Sequence, residues 1–313
     1  MRWSFSAARS FRQCQRGWFF KTCFANARAK DPDRREAHLL SKLQSVSGWR
    51  GKLVDRIISE QLVEALRRGQ KITKSDMVAV ARATFDRELD FALHHRIREP
   101  GMKLSENDSL AAFRAIEYGE NVSETETARA WQDVQTSLDN LFRMEGTRSA
   151  LKRATYVIAQ RSLQFELAGV TVMAVPDIVA FHKEAPPLIV DWKVHTSGAR
   201  DYRLQLALYA MALSRCRPHR DFPPTLAKFQ PTEFRLTEVQ LLVGVEHEYL
   251  LDATDLEELE DYIAASATEM LAATAGVKNG DLDPEDFPAT EWAELCQRCA
   301  FKKVCWENAD GRA

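Results

Sequence analysis

The chain has 313 residues, 45% of them hydrophobic and 28% charged, and a formal net charge of −2. That length is enough for one large domain or two small ones with a sizeable core. A charge this close to zero excludes a global basic field as the means of holding nucleic acid but leaves a local basic groove open. No apolar run is long enough to span a membrane.

The first thirty residues hold no Asp or Glu but carry Arg2, Arg9, Arg12, Arg16, Lys21, Arg28 and Lys30. Such a start fits an organelle transit peptide or a basic helix. It has no signal-peptide apolar core, so the reducing cytoplasm is the expected compartment. There, clustered cysteines read as metal ligands before disulfides. Ser4 to Phe20 reads as one helix mixing aromatic and basic residues, and 31–47 as a loop or short helix. Trp49 to Arg68 is a strong helix, with Val54, Ile57, Ile58, Gln61, Leu62 and Ala65 on one face and Asp55 at its margin.

Residues 73–98 read as a second long helix opened by Thr73 or Ser75, 101–125 as a loop, and Thr127 to Phe142 as a third helix. Together, 70–150 form a helical insertion within a single domain spanning 1–313. From Ala154 the period turns to two. Leu163, Phe165 and Leu167 precede a turn at Ala168-Gly169, and Val170, Val172 and Ala174 follow it. After a loop at 195–198, Asp201 to Leu213 is a helix with Tyr202, Gln205 and Tyr209 on one face. A Pro-rich loop at 218–231 leads to a strand Arg235–Val245 paired with His247–Leu251. Thr254–Ala273 is a helix, and 279–290 a loop.

The stretch Val175 to Lys193 carries the chemistry. Pro176-Asp177 opens one apolar run, Asp191-Trp192-Lys193 closes another, and Glu184 to Pro187 is a turn between them. The unbroken Leu188-Ile189-Val190 suits a strand buried on both faces. A hairpin of this form brings Asp177 and Asp191 together. Two facing carboxylates repel unless a cation sits between them, and hard oxygen ligands suit Mg²⁺ or Mn²⁺. Lys193, two residues after Asp191 on a strand, points to the same face. His182 and His195 lie nearby without a role.

At the other end, Cys296, Cys299 and Cys305 fall within ten residues, flanked by Trp292, Phe301 and Trp306. Zinc and an iron–sulfur cluster both need a fourth ligand, and the residues leave Cys14, Cys23 and Cys216 open.

The Pro176-Asp177 and Asp191-Trp192-Lys193 pattern resembles the PD-(D/E)XK nuclease superfamily. With the cysteines added, it is similar to its RecB-like iron–sulfur branch, which includes AddB and the exonucleases of CRISPR adaptation. The resemblance implies an α/β, restriction-endonuclease-like mixed central sheet flanked by helices, with the terminal regions clasped by cysteine. It selects Cys14 as partner of Cys296, Cys299 and Cys305, because the family pairs an early Cys in a Ser/aromatic/basic helix with three late ones. It implies a structural cluster, four-iron by family expectation, with zinc as the lesser alternative. Joining Cys14 to Cys296 would close nearly the whole chain, a constraint of about 5 kcal/mol on chain-entropy grounds.

The resemblance further implies Mg²⁺- or Mn²⁺-dependent hydrolysis of phosphodiesters in DNA that is single-stranded or has free ends. Exonuclease action in DNA repair, CRISPR adaptation or phage defence is the expectation, beside a helicase, recombination or CRISPR-adaptation partner. Asp55, Asp177, Asp191 and the Trp192 carbonyl would hold the ion, and Lys193 would handle the attacking water. The Gln and Tyr of the following helix match Gln205 and Tyr209. Tyr202, Arg200, Arg203 and the basic first helix would hold the strand, and aromatics near the cluster would stack bases. One departure stands out: where the family has Gly-x-x-x-His, this chain has Gly51-Lys-Leu-Val-Asp55. That substitution also keeps a second reading in view, a non-cleaving DNA-binding or scaffold subunit.

Overall fold

The computed structural model describes residues 1–94, 111–195, 202–275 and 281–310. It contains two mixed sheets. One has three strands in the order β1 (Arg2–Trp3), β4 (Val170–Ala174), β3 (Leu163–Leu167). The other has five, in the order β2 (Tyr156–Ala159), β5 (Ile178–Phe181), β6 (Leu188–Lys193), β7 (Arg235–Gln240), β8 (Val245–Tyr249). A single central sheet was the expectation. The chain splits it because β3 and β4 form a closed antiparallel hairpin, from Leu163↔Ala174 to Leu167↔Val170, whose outer edge pairs in parallel with β1.

Seven helices matter to the site. They are α1 (Phe5–Gln13), α2 (Gln15–Phe19), α3 (Val46–Ile57), α4 (Lys74–His94), α5 (Glu124–Arg143), α6 (Arg203–Arg215) and α7 (Ala253–Ala272). The expected single helix over Ser4–Phe20 is broken at Cys14, whose φ of −162° and ψ of 107° are extended. Its thiol caps α2 by accepting the Gly17 N–H. Polar 31–47 folds as a helix over Pro32–Leu40, where Asp31 caps the N-terminus and Pro32 starts the first turn. Beyond α3 the same helix continues through a π-type stretch, Ile58–Val63, into Glu64–Arg67. A further helix, Glu145–Arg153, was not expected. The expected 73–98 helix is described to His94 and the expected 101–125 loop from residue 111; the remainder of both, and most of the 195–198 loop, lies outside the described residues.

The five-stranded sheet separates two apolar cores. Val179, Phe181, Ile189 and Leu236 face the first, with α1, α2, α6, α7, the three-stranded sheet and the tail residues Phe287, Phe301 and Val304. Ile178, Ala180, Leu188, Val190 and Trp192 face the second, built from α3, α4 and α5. Burial on both faces is why Leu188–Val190 lacks polar alternation. The helices within 70–150 therefore cover one face of the sheet together with α3. Buried Glu88 of α4 ties them to it by accepting from Trp49 Nε1 at 2.8 Å and pairing with Arg56. Among the described residues, no helix is long and apolar enough to cross a membrane.

Candidate active site

The site is built from the β5–β6 hairpin. Ile178 pairs with Val190, so the register carries Asp177 opposite Asp191 at the mouth of the hairpin. The Trp192 N–H donates to Asp177 Oδ2 at 2.7 Å, which locks the two strand ends together. Asp191 is 1% exposed. Lys193 lies against Asp191 Oδ2 as an ion pair, and its Nζ also donates to Gln205 Oε1 at 3.3 Å. Trp192 enters this geometry through its N–H, while its indole packs in the second core.

Helix α6 supplies the next layer. Gln205 Nε2 donates to the Tyr209 hydroxyl at 2.6 Å and to Asp191 Oδ1 at 3.4 Å. Tyr209 in turn donates to the same Oδ1 at 3.5 Å. The i, i+4 spacing that aligns Gln205 with Tyr209 thus aims both at one carboxylate. Tyr202, at the N-cap of α6, lies 4.6 Å beneath the Lys193 ammonium and shares a hydrogen bond with His195 at 3.0 Å. His195 accordingly touches the edge of the site, whereas His182 is engaged with the Ala150 carbonyl.

Asp55 reaches the site from α3 through a residue the sequence did not single out. Gln160 Nε2 lies 2.9 Å from both Asp55 oxygens and 3.0 Å from Asp177 Oδ1. Gln160 holds φ at 50°, a left-handed conformation that L-residues rarely adopt. Its own N–H donates to the Asp177 carbonyl at 3.1 Å. A lone Gln after a strand carries no sequence signature of such a role. Glu238 was also missed. It is 1% exposed and lies beside Asp191 in the parallel β6–β7 register. It accepts from Tyr249 Oη at 2.8 Å and Gln240 Nε2 at 2.9 Å.

Like charges this close resist ionisation. Burial, then the Asp177 charge, pushes the Asp191 pKa up to about 7. Burial and Asp55 push Asp177 up to about 6, and burial outweighs the Gln160 hydrogen bond to hold Asp55 at about 6. Among the described residues, no group of three or more His, Cys, Asp or Glu side chains is gathered tightly enough to hold a metal ion as it stands. The donor set nevertheless suits a hard cation. Three carboxylate oxygens converge on one point, marked by the Gln160 amide nitrogen at about 3 Å, and Mg²⁺ needs such oxygens at about 2.0–2.1 Å.

Other expected site residues stand apart. Arg203 pairs with Asp255 at 2.5–2.6 Å, because α7 presents that acid in its first turn. Arg200 lies outside the described residues. Cys14, Cys296, Cys299 and Cys305 come within electrostatic range of one another. Burial first, then those neighbouring thiols, pushes Cys299 up to about 11, although the Phe301 N–H donates to its sulfur at 3.3 Å. Cys305 is also raised by burial, against the opposing effect of Arg16. Cys23 rises to about 11 by burial. The expected cysteine clasp is not shown: among the described residues these cysteines form no cluster that could hold a metal ion.

A family model for the PD-(D/E)XK nuclease superfamily matches residues 2–306. The chain belongs to that superfamily. Curated protein sequences give no match. Among solved structures, a Eubacterium rectale protein provisionally named an exonuclease is similar at 13% identity and a TM-score of 0.34, over 84% of this chain and 90% of that one. The protein titled SSO0001 is similar at 12% identity and a TM-score of 0.31, over 72% and 96%. A Vibrio cholerae protein, VC1899, follows at 13% and 0.22, over 74% and 57%. At such scores these likenesses carry no weight, and membership rests on the sequence match across nearly the whole chain.

Proposed function

We propose that the protein is a metal-dependent deoxyribonuclease that hydrolyses phosphodiester bonds in DNA with free or single-stranded ends. The observation that carries the reading is the facing pair Asp177 and Asp191 with the Lys193 ammonium against Asp191. Asp55, Asp177 and Asp191, with the Trp192 carbonyl, would hold Mg²⁺ or Mn²⁺. A divalent ion there supplies Lewis-acid polarisation of the phosphoryl oxygen and a water of lowered pKa. Lys193, as an ammonium, orients the attacking water and offsets charge in the transition state. Gln205 and Tyr209 hold Asp191 in place, and Tyr202 fixes the Lys193 ammonium over its ring.

Asp55 stands where relatives of this type carry His. It keeps an oxygen donor but adds a negative charge, which favours Mg²⁺ or Mn²⁺ over softer ions. Cys14, Cys296, Cys299 and Cys305 would hold an iron–sulfur cluster, four-iron by family expectation, with a structural role. Four soft thiols suit that group or zinc, and N–H groups already point at two of the sulfurs. Exonuclease action beside a helicase, recombination or CRISPR-adaptation protein is the expected setting.

The direct test incubates the purified protein with Mn²⁺ and end-labelled single- and double-stranded DNA. Cutting should fall by about 10³-fold or more in Asp191→Ala and Lys193→Ala, with circular dichroism unchanged. Cutting that survives both substitutions rules this mechanism out. A wild-type protein that binds DNA and never cuts it supports a scaffold subunit instead.

A further inference from the structure

Helix α3 supplies Asp55, and the grip on this helix comes from the 70–150 insertion. Glu88 of α4 is 2% exposed and holds two turns of α3 at once. The Trp49 indole N–H donates to its Oε2 at 2.8 Å, and Arg56 pairs with its Oε1. Trp49 and Arg56 lie about two helical turns apart, so both fall on the face that meets Glu88.

Arg50 makes a different connection. Its side chain is 12% exposed. One Nη pairs with Asp133 of α5, and the other donates to the Val194 carbonyl. Its Nε has no hydrogen bond among the described residues, so the grip runs through the two tips of the guanidinium fork.

Val194 is where the strand leaves the sheet. The parallel ladder of β6 with β7 ends at Lys193↔Gln240. The Leu241 N–H still takes the Lys193 carbonyl at 2.9 Å, and the next carbonyl, that of Val194, goes to Arg50. Val194 is buried, so a protein donor has to serve it there.

Helix α3 therefore meets the end of the sheet at two points. Arg50 holds the residue after Lys193. Asp55, about 7.5 Å further along the helix axis, reaches Asp177 through Gln160 at 2.9–3.0 Å. A slide or tilt of α3 would move Asp55 relative to Asp191 and Lys193, and the Arg50 bridge opposes that movement.

We infer that Arg50, braced by Asp133, is a positioning residue that sets Asp55 at its working distance from Asp191 and Lys193, so that the helical insertion governs metal binding from outside the site. The inference rests on the nuclease reading of that site. An ordinary structural ion pair would stabilise the fold and do no more. The bond to Val194 makes the difference, because it runs to the strand of Asp191 and Lys193.

The test separates position from stability in the full-length protein. Arg50→Met removes both bonds and leaves Asp133 without its cation. It should lower Tm and weaken Mn²⁺ binding about ten-fold by calorimetry. On end-labelled DNA it should lower kcat at least about ten-fold, with KM within about two-fold. Arg50→Met with Asp133→Leu replaces the pair by apolar side chains, an exchange that is often neutral or stabilising. This double variant should recover Tm without recovering Mn²⁺ affinity or kcat. Arg50→Lys keeps a cation beside Asp133 but puts a single ammonium in place of the fork. It should hold Tm and lose Mn²⁺ affinity. Lys74→Ala breaks the Lys74–Asp139 pair, which joins the same two insertion helices at 2.9 Å, and should leave Mn²⁺ affinity and kcat unchanged.

Mn²⁺ affinity that returns with Tm in the double variant, or that stays at the wild-type level in every Arg50 variant, overturns the inference. If the wild type cuts DNA in Mn²⁺ and the Arg50 variants bind and cut like it, this inference alone falls. If Mn²⁺ affinity follows the expected pattern and the wild type never cuts, the nuclease reading falls and the positioning of the metal cage stands.

Discussion

The carboxylate site and the region where the two chain ends meet, around Cys14 and the tail cysteines, are assembled in opposite ways. The carboxylates come together through strand register and polar contacts, and Gln160 is the group that spans Asp55 and Asp177. At the second, the two ends of the chain are sealed by aromatic packing. Phe19 stacks on Phe287 at 4.5 Å, Trp18 lies 6.1 Å from Phe287, and Phe20 lies 5.9 Å from Phe301. A cation at the first place would relieve charge. At the second, a metal would cross-link ends that packing has already joined.

That contrast is most sharply broken at Phe287, which is fully buried. Phe287→Ala should cost about 3–5 kcal/mol in urea unfolding, the range for deleting a buried ring. A cost below about 1 kcal/mol would mean that packing does not hold the ends. Cys14→Ser comes next. In protein carrying iron, loss of one of four ligands should lower iron content and remove about 2–4 kcal/mol, by analogy with a cross-link that closes a long loop. In metal-free protein the same change should cost under about 1 kcal/mol, because serine replaces the thiol as cap for the Gly17 N–H. Equal costs in the two forms would remove the soft-metal assignment.

Sequence reasoning reached the carboxylate hairpin because its determinants are local. The turn at 184–187 sets the register, the apolar run sets the burial, and two-residue alternation places Lys193 beside Asp191. The Gln205–Tyr209 pair was visible for the same reason, since helical spacing is also local. Gln160 and Glu238 were invisible because each acts across elements. Gln160 is placed by a left-handed backbone turn after β2, and Glu238 by a parallel crossover from β6 to β7. The split into two sheets was hidden likewise, since β1 joins β4 across more than half of the chain.

The carboxylate half of the comparison can be sharpened by titration. Asp55, Asp177 and Asp191 have folded pKa values of about 6, 6 and 7, above the ordinary 3.8. Groups whose pKa is higher when folded take up protons on folding. Their contribution is fully present below about pH 4 and is lost as pH rises through 6 to 7. Metal-free protein should therefore lose stability between pH 5 and pH 7.5, read as a falling Tm. Mn²⁺ should restore Tm at pH 7.5 and do little at pH 5, where protons occupy the oxygens. Asp55→Asn should flatten the metal-free pH profile. A profile that does not fall with pH, or Mn²⁺ that acts equally at both values, contradicts mutual repulsion as the organising force.

The smallest expected effect concerns Gln160, where two terms oppose. Its amide donates to Asp55 and Asp177, so Gln160→Ala should destabilise metal-free protein by about 1 kcal/mol. Alanine keeps the cost of φ at 50°, whereas glycine removes it. Gln160→Gly should therefore be about 1 kcal/mol more stable than Gln160→Ala, close to the wild type. Metal affinity should move the other way from stability. The amide nitrogen sits at the point where three oxygens converge, so a cation must displace it. Both variants should then bind Mn²⁺ a few-fold more tightly by calorimetry, because about 1 kcal/mol corresponds to roughly five-fold. Weaker Mn²⁺ binding in both would show instead that the Gln160 side chain helps to hold the ion, making it a further member of the cage rather than its placeholder.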